Sequence, residues 1–244
     1  MRKINPADVI DDFKSQLDDL SGYFDRVAAA IAGTQTEQSD LSLLAEQTFV
    51  SGAVAFESFI SDLFVAFINR DSSKLQSEYE SRIKESVKSK FAQWHADQLK
   101  FSSVKHLSVD QIIEIMDKDG RNITFPTAAK MKAETSAWLL KEYADLFKNL
   151  TVKDESVIDC MKAVRDFIAH RSESAKDRMN DELQKIGNAS RNENLGRGRR
   201  KVHYIGSFLK AEFPANRRVK LFWDWLKGIA ESLRPIAKLA KKKK

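Results

Sequence analysis

The amino-acid sequence predicts an all-α protein, and three observations carry that prediction. Glycine and proline, which interrupt helices, account for only 9 and 4 of the 244 residues. Apolar residues recur at three- and four-residue spacing along most of the chain, and no segment shows the alternation of a half-buried strand. Helix-start patterns precede several of these segments. Because 42% of the residues are hydrophobic, we predict a single all-α domain over residues 1–244.

The first predicted helix begins at Pro6, directly after Asn5, and keeps its apolar spacing until Gly33. The second spans about 41–69 and carries apolar residues around most of its circumference, as a helix buried on several sides does.

Residues 49–68 are nearly apolar enough to cross a membrane. Glu57 and Asp62 lie near the middle of this stretch, however, and a carboxylate in lipid is costly. We therefore predict a buried core helix of a cytoplasmic protein that does not contact a membrane. The N-terminus has no secretory signal pattern, which agrees with that location.

Three further helices are predicted in the middle of the chain. Two begin with a capping-box pattern, in which a serine precedes a glutamine by three residues. The first of these spans 73–100 and has its box at Ser73 and Gln76. The second spans 108–120, with its box at Ser108 and Gln111 and its end at Gly120. The third begins at Pro126 and ends near residue 150.

The last third of the chain is predicted to contain two helices and a loop. Thr151 and Asp154 form a capping-box pattern that begins a sixth helix, and residues 217–233 form the last one. Between them, the second half of 172–201 lacks an apolar stripe and is rich in Gly, Asn and Arg, including Arg191. We predict an exposed, flexible basic loop there. The lysine tail, 241–244, is expected to be disordered.

The sixth helix contains the segment "RDFIAH", residues 165–170. At 100° per residue, one apolar stripe faces the core; its residues are Cys160, Met161, Val164, Phe167 and Ile168. Arg165 and His170 fall on either side of the opposite face, with Asp166 and Ala169 between them. A small residue at the centre of a polar patch allows a second copy to approach closely, which would bring two Arg and two His into one cleft.

This segment resembles the R-x(4-6)-H signature of the HEPN superfamily (higher eukaryotes and prokaryotes nucleotide-binding domains). The resemblance implies a helical bundle of the HEPN type over about 41–171, with an extra N-terminal helix and with a C-terminal extension over 172–244. It implies a homodimer formed across the motif helices. Many members of the superfamily are metal-independent endoribonucleases that act as toxins or as antiviral, abortive-infection effectors. The resemblance therefore implies such an activity here, with an antitoxin or a defence-system protein as partner.

The residue types suit RNA cleavage on chemical grounds alone. RNA carries its own nucleophile, the 2'-hydroxyl, so cleavage requires a base, an acid and a stabiliser of phosphoryl charge. A histidine side chain can accept or donate a proton, so His170 can act as base or acid, and Arg165 can hold phosphate oxygens with a bidentate fork. Asp166 either orients these side chains or is a solvated surface residue. We predict no cofactor and no metal site.

Glu57 lies within the apolar face of the second helix, where a charge needs a partner. Either it pairs with Arg165 and fixes that residue in the cleft, or it pairs with another Lys or Arg.

RNA contacts are predicted for the basic residues Arg171, Arg197, Arg199, Arg200 and Lys201, with Tyr204 available for stacking. A solvated loop is the alternative. The net charge of +6 and the pI of about 9.2 permit a polyanionic partner. Two other functions stay open: a helical module that binds RNA, a nucleotide or a protein without catalysis, and a structural scaffold. An exposed, unpaired His170 in a monomer would favour the scaffold.

Overall fold

A computed structural model describes residues 3–102, 104, 106–116, 123–189, 194–214 and 216–235. These residues form eleven helices and no strand, which confirms the predicted all-α class. The helices are α1 (Pro6–Ile31), α2 (Glu37–Arg70), α3 (Ser73–Lys90), α4 (Gln93–Gln98), α5 (Val109–Met116), α6 (Ala128–Trp138), α7 (Lys141–Lys148), α8 (Val152–His170), α9 (Glu173–Ala189), α10 (Ile205–Leu209) and α11 (Arg218–Ser232). The predicted helix end at Gly120, Arg191 and the lysine tail lie outside the described residues.

Two of the three predicted capping boxes are confirmed. At the start of α5, the Ser108 hydroxyl accepts from the amide of Gln111 at 3.1 Å, and the Gln111 side chain accepts from the amide of Ser108 at 2.8 Å. At the start of α8, Thr151 and Asp154 exchange the same two bonds, at 3.2 and 2.9 Å. Both pairs satisfy backbone donors that a helix leaves without partners in its first turn.

The third predicted box, at Ser73, is wrong. The carboxylate of Asp71 accepts from both the amide and the hydroxyl of Ser73, at 3.1 and 2.6 Å. Gln76 instead donates to the hydroxyl of Ser72, at 2.8 Å. The Asp71 carboxylate thus takes the Ser73 amide that the box would have given to the Gln76 side chain, and the Gln76 amide donates to the carbonyl of Ser72 at 3.0 Å.

Two helices predicted as continuous are each divided. The predicted helix 73–100 stops at Lys90, and α4 follows after Ala92, whose φ is 151°. The predicted helix 126–150 starts one residue after Thr127, whose side chain accepts from the amide of Lys130, and it is interrupted by extended backbone at Leu139. Leu139 is buried at this break between α6 and α7.

The chain forms two compact units, and the predicted 41–171 core contributes to both. Unit 1 contains Met1–Val9, Ile60–Asn149 and Pro235–Lys244. Its core is aromatic: the ring of Phe64 lies 5.1 Å from those of Phe125 and Phe147 and 6.1 Å from that of Trp138. Aromatic pairs at these separations stabilise beyond the area they bury.

Unit 2 contains Ile10–Phe59 and Leu150–Arg234 and therefore most of α1 and α2 together with α8 to α11. Phe13 of α1 stacks on Phe59 of α2 at 4.4 Å. The indole of Trp223, on α11, lies against Gly52, where a Cβ atom would come within 2.5 Å of the indole nitrogen. A residue without a side chain is thus required at this crossing of α2 and α11.

The most apolar part of α2 is long enough to span a membrane, and it is the one such helix among the described residues. Two thirds of that window is buried inside the protein, as in the core helix of a soluble protein. This burial confirms the prediction that the second helix is a core helix.

The predicted exposed loop is shorter than expected, because α9 continues to Ala189. In the part of the loop that follows α9, Gly196 lies against Gly187 of that helix, and the amide of Arg197 donates to the carbonyl of Leu183 at 2.9 Å. A Cβ atom on Gly196 would lie 2.1 Å from the amide nitrogen of Gly187. Gly196 is therefore a packing residue, and its role is close backbone approach rather than flexibility.

Substitution of Gly196 tests whether this glycine is required for close packing or for backbone flexibility. We expect Gly196→Ala to lower the free energy of unfolding by about 1–3 kcal/mol, as overpacking does, because the opposing atoms are backbone. Gly198→Ala is the matched control, since no atom lies within 4 Å of its Cβ position. Urea unfolding of both variants measures the difference, and equal stabilities would contradict the close packing.

Candidate functional site

The motif helix α8 presents its apolar stripe to the core as predicted. Cys160, Met161, Val164 and Phe167 are buried, and Ile168 is partly exposed. The helix ends at His170, and Arg171 takes a left-handed conformation with φ of 52°. Its amide donates to the carbonyl of Phe167 at 2.9 Å. The turn ends α8 directly after the motif.

Arg165 is held by two carboxylates. One terminal nitrogen, Nη2, donates to Glu57 on α2 at 2.6 Å, and the other, Nη1, donates to Asp166 at 2.8 Å. Of the two alternatives for Glu57, the pair with Arg165 is therefore the one present. The Arg165 side chain is only 29% exposed and that of Glu57 15%, so Arg165 is less accessible to solvent than the sequence suggested.

The charge on Arg165 is stable despite its partial burial. Burial alone would lower its pKa, but the hydrogen bond and charge of Glu57, followed by Asp166, raise the pKa above its usual range. Of its five N–H donors, two bind the carboxylates. The Nε atom is buried and has no hydrogen-bond partner among the described residues. One hydrogen on each terminal nitrogen remains for a ligand.

Two further cations belong to this cluster and were not predicted. Arg178 on α9 donates to the second oxygen of Asp166 at 2.5 Å. Lys162, one turn before Arg165 on α8, is partly buried; burial lowers its pKa, against the opposing charges of Glu57 and Asp159. The three- and four-residue spacing of Lys162 from Arg165 and Asp166 could have identified it. Nothing in the sequence indicated Arg178, because its contact depends on the packing of α9 against α8.

His170 and Ala169 are exposed at the end of α8, as the helical phase predicted. No hydrogen bond or ion pair joins the His170 side chain to any residue that the structure describes. None of the described residues therefore fixes its ring orientation or its tautomer.

Arg171 is engaged by Glu46 of α2 in an ion pair. The other carboxylate oxygen of Glu46 accepts from the amide of Gly206 at 3.0 Å. Glu46 thereby connects the end of α8 with the start of α10. Half of the Arg171 side chain stays exposed, so its predicted contact with RNA stays a prediction.

The basic loop divides into a buried and an exposed part, and the prediction of an exposed Arg197 is wrong. Arg197 is 8% exposed. Its guanidinium donates to the carbonyl of Asn180 at 2.7 Å, to Gln184 at 2.6 Å and to carbonyls of its own loop. These acceptors surround the charge, so Arg197 organises the loop and is not available to a phosphate.

The remaining loop residues lie at the surface. Arg199 and Arg200 are exposed, and Lys201 pairs with Asp177 of α9 at 3.0 Å. Asp177 is the neighbour of Arg178, which binds Asp166. The loop and the motif helix are therefore attached to the same turn of α9. Tyr204 is 80% exposed.

No group of three or more His, Cys, Asp or Glu residues that could hold a metal ion occurs in the described ranges. Comparison with protein-family models, curated proteins and solved structures gives no significant match to this chain. The HEPN resemblance accordingly rests on the motif and on the helices around it.

The Glu57–Arg165 pair should contribute measurably to stability because both side chains are mostly buried. A double-mutant cycle with Glu57→Gln and Arg165→Gln is expected to give a coupling free energy of about 1–3 kcal/mol in urea unfolding. The control cycle uses Lys176 and Glu173, a pair on α9 whose carboxylate is 83% exposed; about 0.5 kcal/mol or less is expected there. Equal coupling in the two cycles would show that the first pair has no special structural role.

Proposed function

We propose that the protein is a cytoplasmic, metal-independent endoribonuclease of the HEPN type that works as a homodimer. The observation that carries the proposal is the arrangement on α8: an arginine held by two carboxylates, followed five residues later by an exposed histidine at the helix end. The biological role, a toxin or antiviral effector with an antitoxin or defence-system partner, rests on the family resemblance.

The proposed reaction is a transesterification. A base removes the proton of the 2'-hydroxyl, and the 2'-oxygen attacks the adjacent phosphorus. The bond from phosphorus to the 5'-oxygen breaks, and an acid protonates that oxygen. The products carry a 2',3'-cyclic phosphate and a 5'-hydroxyl.

Each motif residue has a role in this scheme. His170 of one copy is the base and His170 of the second copy is the acid. Arg165 stabilises the extra charge on the phosphoryl oxygens with its two remaining N–H donors. Glu57 and Asp166 are positioning residues, because they hold the guanidinium and do not touch the substrate.

The surface near the motif carries positive charge for the RNA backbone. Arg171 is half exposed, and Arg199, Arg200 and Lys201 are exposed on the loop bound to α9. We propose that these four residues contact phosphates. Arg197 is not among them, because protein acceptors surround its guanidinium.

A second candidate function is a helical module that binds RNA, a nucleotide or a partner protein without cutting it. Two observations favour it: both terminal nitrogens of Arg165 already bind carboxylates, and no described residue orients His170. An exposed, unpaired His170 is also what a structural scaffold would have. In the nuclease proposal, the second copy supplies the missing surroundings, so the oligomeric state is decisive.

The catalytic proposal is tested with purified protein and single-stranded RNA in excess EDTA. We expect cleavage to a 2',3'-cyclic phosphate, with DNA left intact because it lacks the 2'-hydroxyl. His170→Ala should lower the rate by about 100- to 10,000-fold, and Arg165→Ala nearly as much. Product ends are identified by mass spectrometry.

The His170→Ala and Arg165→Ala variants should differ in stability. His170→Ala should leave the urea midpoint unchanged because the side chain is exposed, whereas Arg165→Ala should lower it because Glu57 is left without its partner. Tyr23→Ala, at an exposed aromatic residue of α1, is the control for activity. Cleavage that requires magnesium, or that persists in His170→Ala, would refute the mechanism, and binding without cleavage would favour the second candidate.

The dimer is expected to have its two-fold axis near Ala169. Ala169→Arg should produce monomers, because a long charged side chain at an exposed small residue blocks close approach. Light scattering measures the mass, with Val152→Arg at the opposite end of α8 as the control. A wild-type protein that stays monomeric at every concentration would contradict the composite site.

A further inference from the structure

Unit 1 carries a cluster of exposed aromatic rings that the proposed cleavage chemistry does not use. Phe91 and Trp94 are 67% and 66% exposed. The ring of His95 is close to both, with its centre 5.9 Å from that of the Phe91 ring and 5.1 Å from that of the Trp94 ring. Large aromatic side chains are seldom left this exposed, and a cluster of them indicates an interaction site.

The backbone around α4 explains why these rings stand at the surface. Phe91 is the last residue of the α3 turn, and Ala92, with φ of 151°, changes the chain direction before α4 begins. Within α4, Ala96 is the buried residue, so the short helix contacts its unit through a small side chain. Trp94 and His95 are thereby left outside the core.

Exposed lysines lie close to these rings in the sequence. The segment 84–101 contains four lysines and two acidic residues. Lys88 and Lys90 are exposed in the last turn of α3, within three residues of Phe91. Lys84, one turn earlier, lies 5.7 Å from the ring of Phe101, and the residue before this ring in the chain is the exposed Lys100. No ion pair joins Lys88, Lys90 or Lys100 to a described carboxylate.

Exposed rings together with unpaired lysines suit one class of partner best. Single-stranded nucleic acid offers unpaired bases that stack on aromatic rings, and phosphates at short intervals that attract lysine. A duplex keeps its bases stacked on each other and cannot use the rings. An acidic peptide would use the lysines but has no general need for two neighbouring aromatic faces.

We propose that Phe91, Trp94 and His95, with Lys88, Lys90 and Lys100, form a binding surface for single-stranded RNA. Bases stack on Trp94 and Phe91, and the lysines contact the phosphates. We refer to these six residues as the aromatic–lysine patch. The proposal goes beyond the proposed nuclease and does not require that α8 cuts RNA.

The test measures RNA binding by the full chain in a His170→Ala background, so that cleavage cannot remove the probe. The probe is a fluorescein-labelled oligoadenylate of about 12 nucleotides, within the range that such surfaces cover. We expect Trp94→Ala to lower its affinity about tenfold, and Trp94→Phe to retain most of it because a phenyl ring also stacks. Tyr23→Ala, which removes an exposed ring from unit 2, should have no effect.

The lysines are tested through the salt dependence of binding. For single strands each phosphate contact contributes a slope of about 0.7 in the double-logarithmic plot of affinity against salt concentration. Replacing all three lysines with glutamine should therefore flatten the slope by about 2. The same oligonucleotide in a duplex should bind more weakly, and Trp94→Ala should not change its affinity.

Unchanged affinity of Trp94→Ala for the single strand would overturn the proposal. So would a Trp94→Ala effect on vesicles of phosphatidylserine and phosphatidylcholine with none on RNA, since the patch would then bind lipid. Urea unfolding confirms that each variant is folded. Binding that depends on Trp94 in a protein without cleavage activity would support the patch and count against the nuclease, so the two proposals fail separately.

Discussion

The candidate site depends on keeping a charged guanidinium in a place that is mostly buried. Arg165 could not stay there alone, because a buried charge without a partner is strongly unfavourable. Glu57 supplies the opposing charge from α2 and Asp166 from α8, and Asp166 in turn binds Arg178 of α9. One requirement for charge balance therefore joins three helices of unit 2.

This network has a consequence for function. The carboxylates that stabilise Arg165 also occupy part of its donor capacity, so a substrate phosphate would have to share the guanidinium with Glu57 and Asp166. Such sharing restricts the orientation of the guanidinium, which favours a fixed, pre-organised contact over a flexible one. Lys162, on the same face of α8, adds positive charge near Glu57 and Asp159, and no ion pair joins it to a carboxylate in the described part of the chain.

Arginine has a second, structural use in the C-terminal third of the chain. Arg218 is 9% exposed, and its guanidinium lies 3.7 Å from the ring centre of Phe208. It donates to the carbonyls of Asn194 and Phe208, and burial lowers its pKa to about 10. Arg197 binds carbonyls in the same way. Some of the basic residues therefore bind loop carbonyls inside the protein. For this reason, the net charge overestimates the number of basic residues that a polyanion can contact.

The sequence by itself determined the helical class, the apolar face of α8 and helix starts such as those of α5 and α8, because each follows from local periodicity or capping chemistry. It also required a cationic partner for Glu57, but the choice of Arg165 over another Lys or Arg came from the tertiary structure. Only the tertiary structure decided which basic residues are accessible. Arg197 and Gly196 look like parts of a flexible loop, yet packing against α9 buries one and requires the other. The contact of Arg178 with the site and the exposure of Phe91 and Trp94 were also decided at this level. All these outcomes depend on which helices pack against each other, and local sequence patterns do not carry that information.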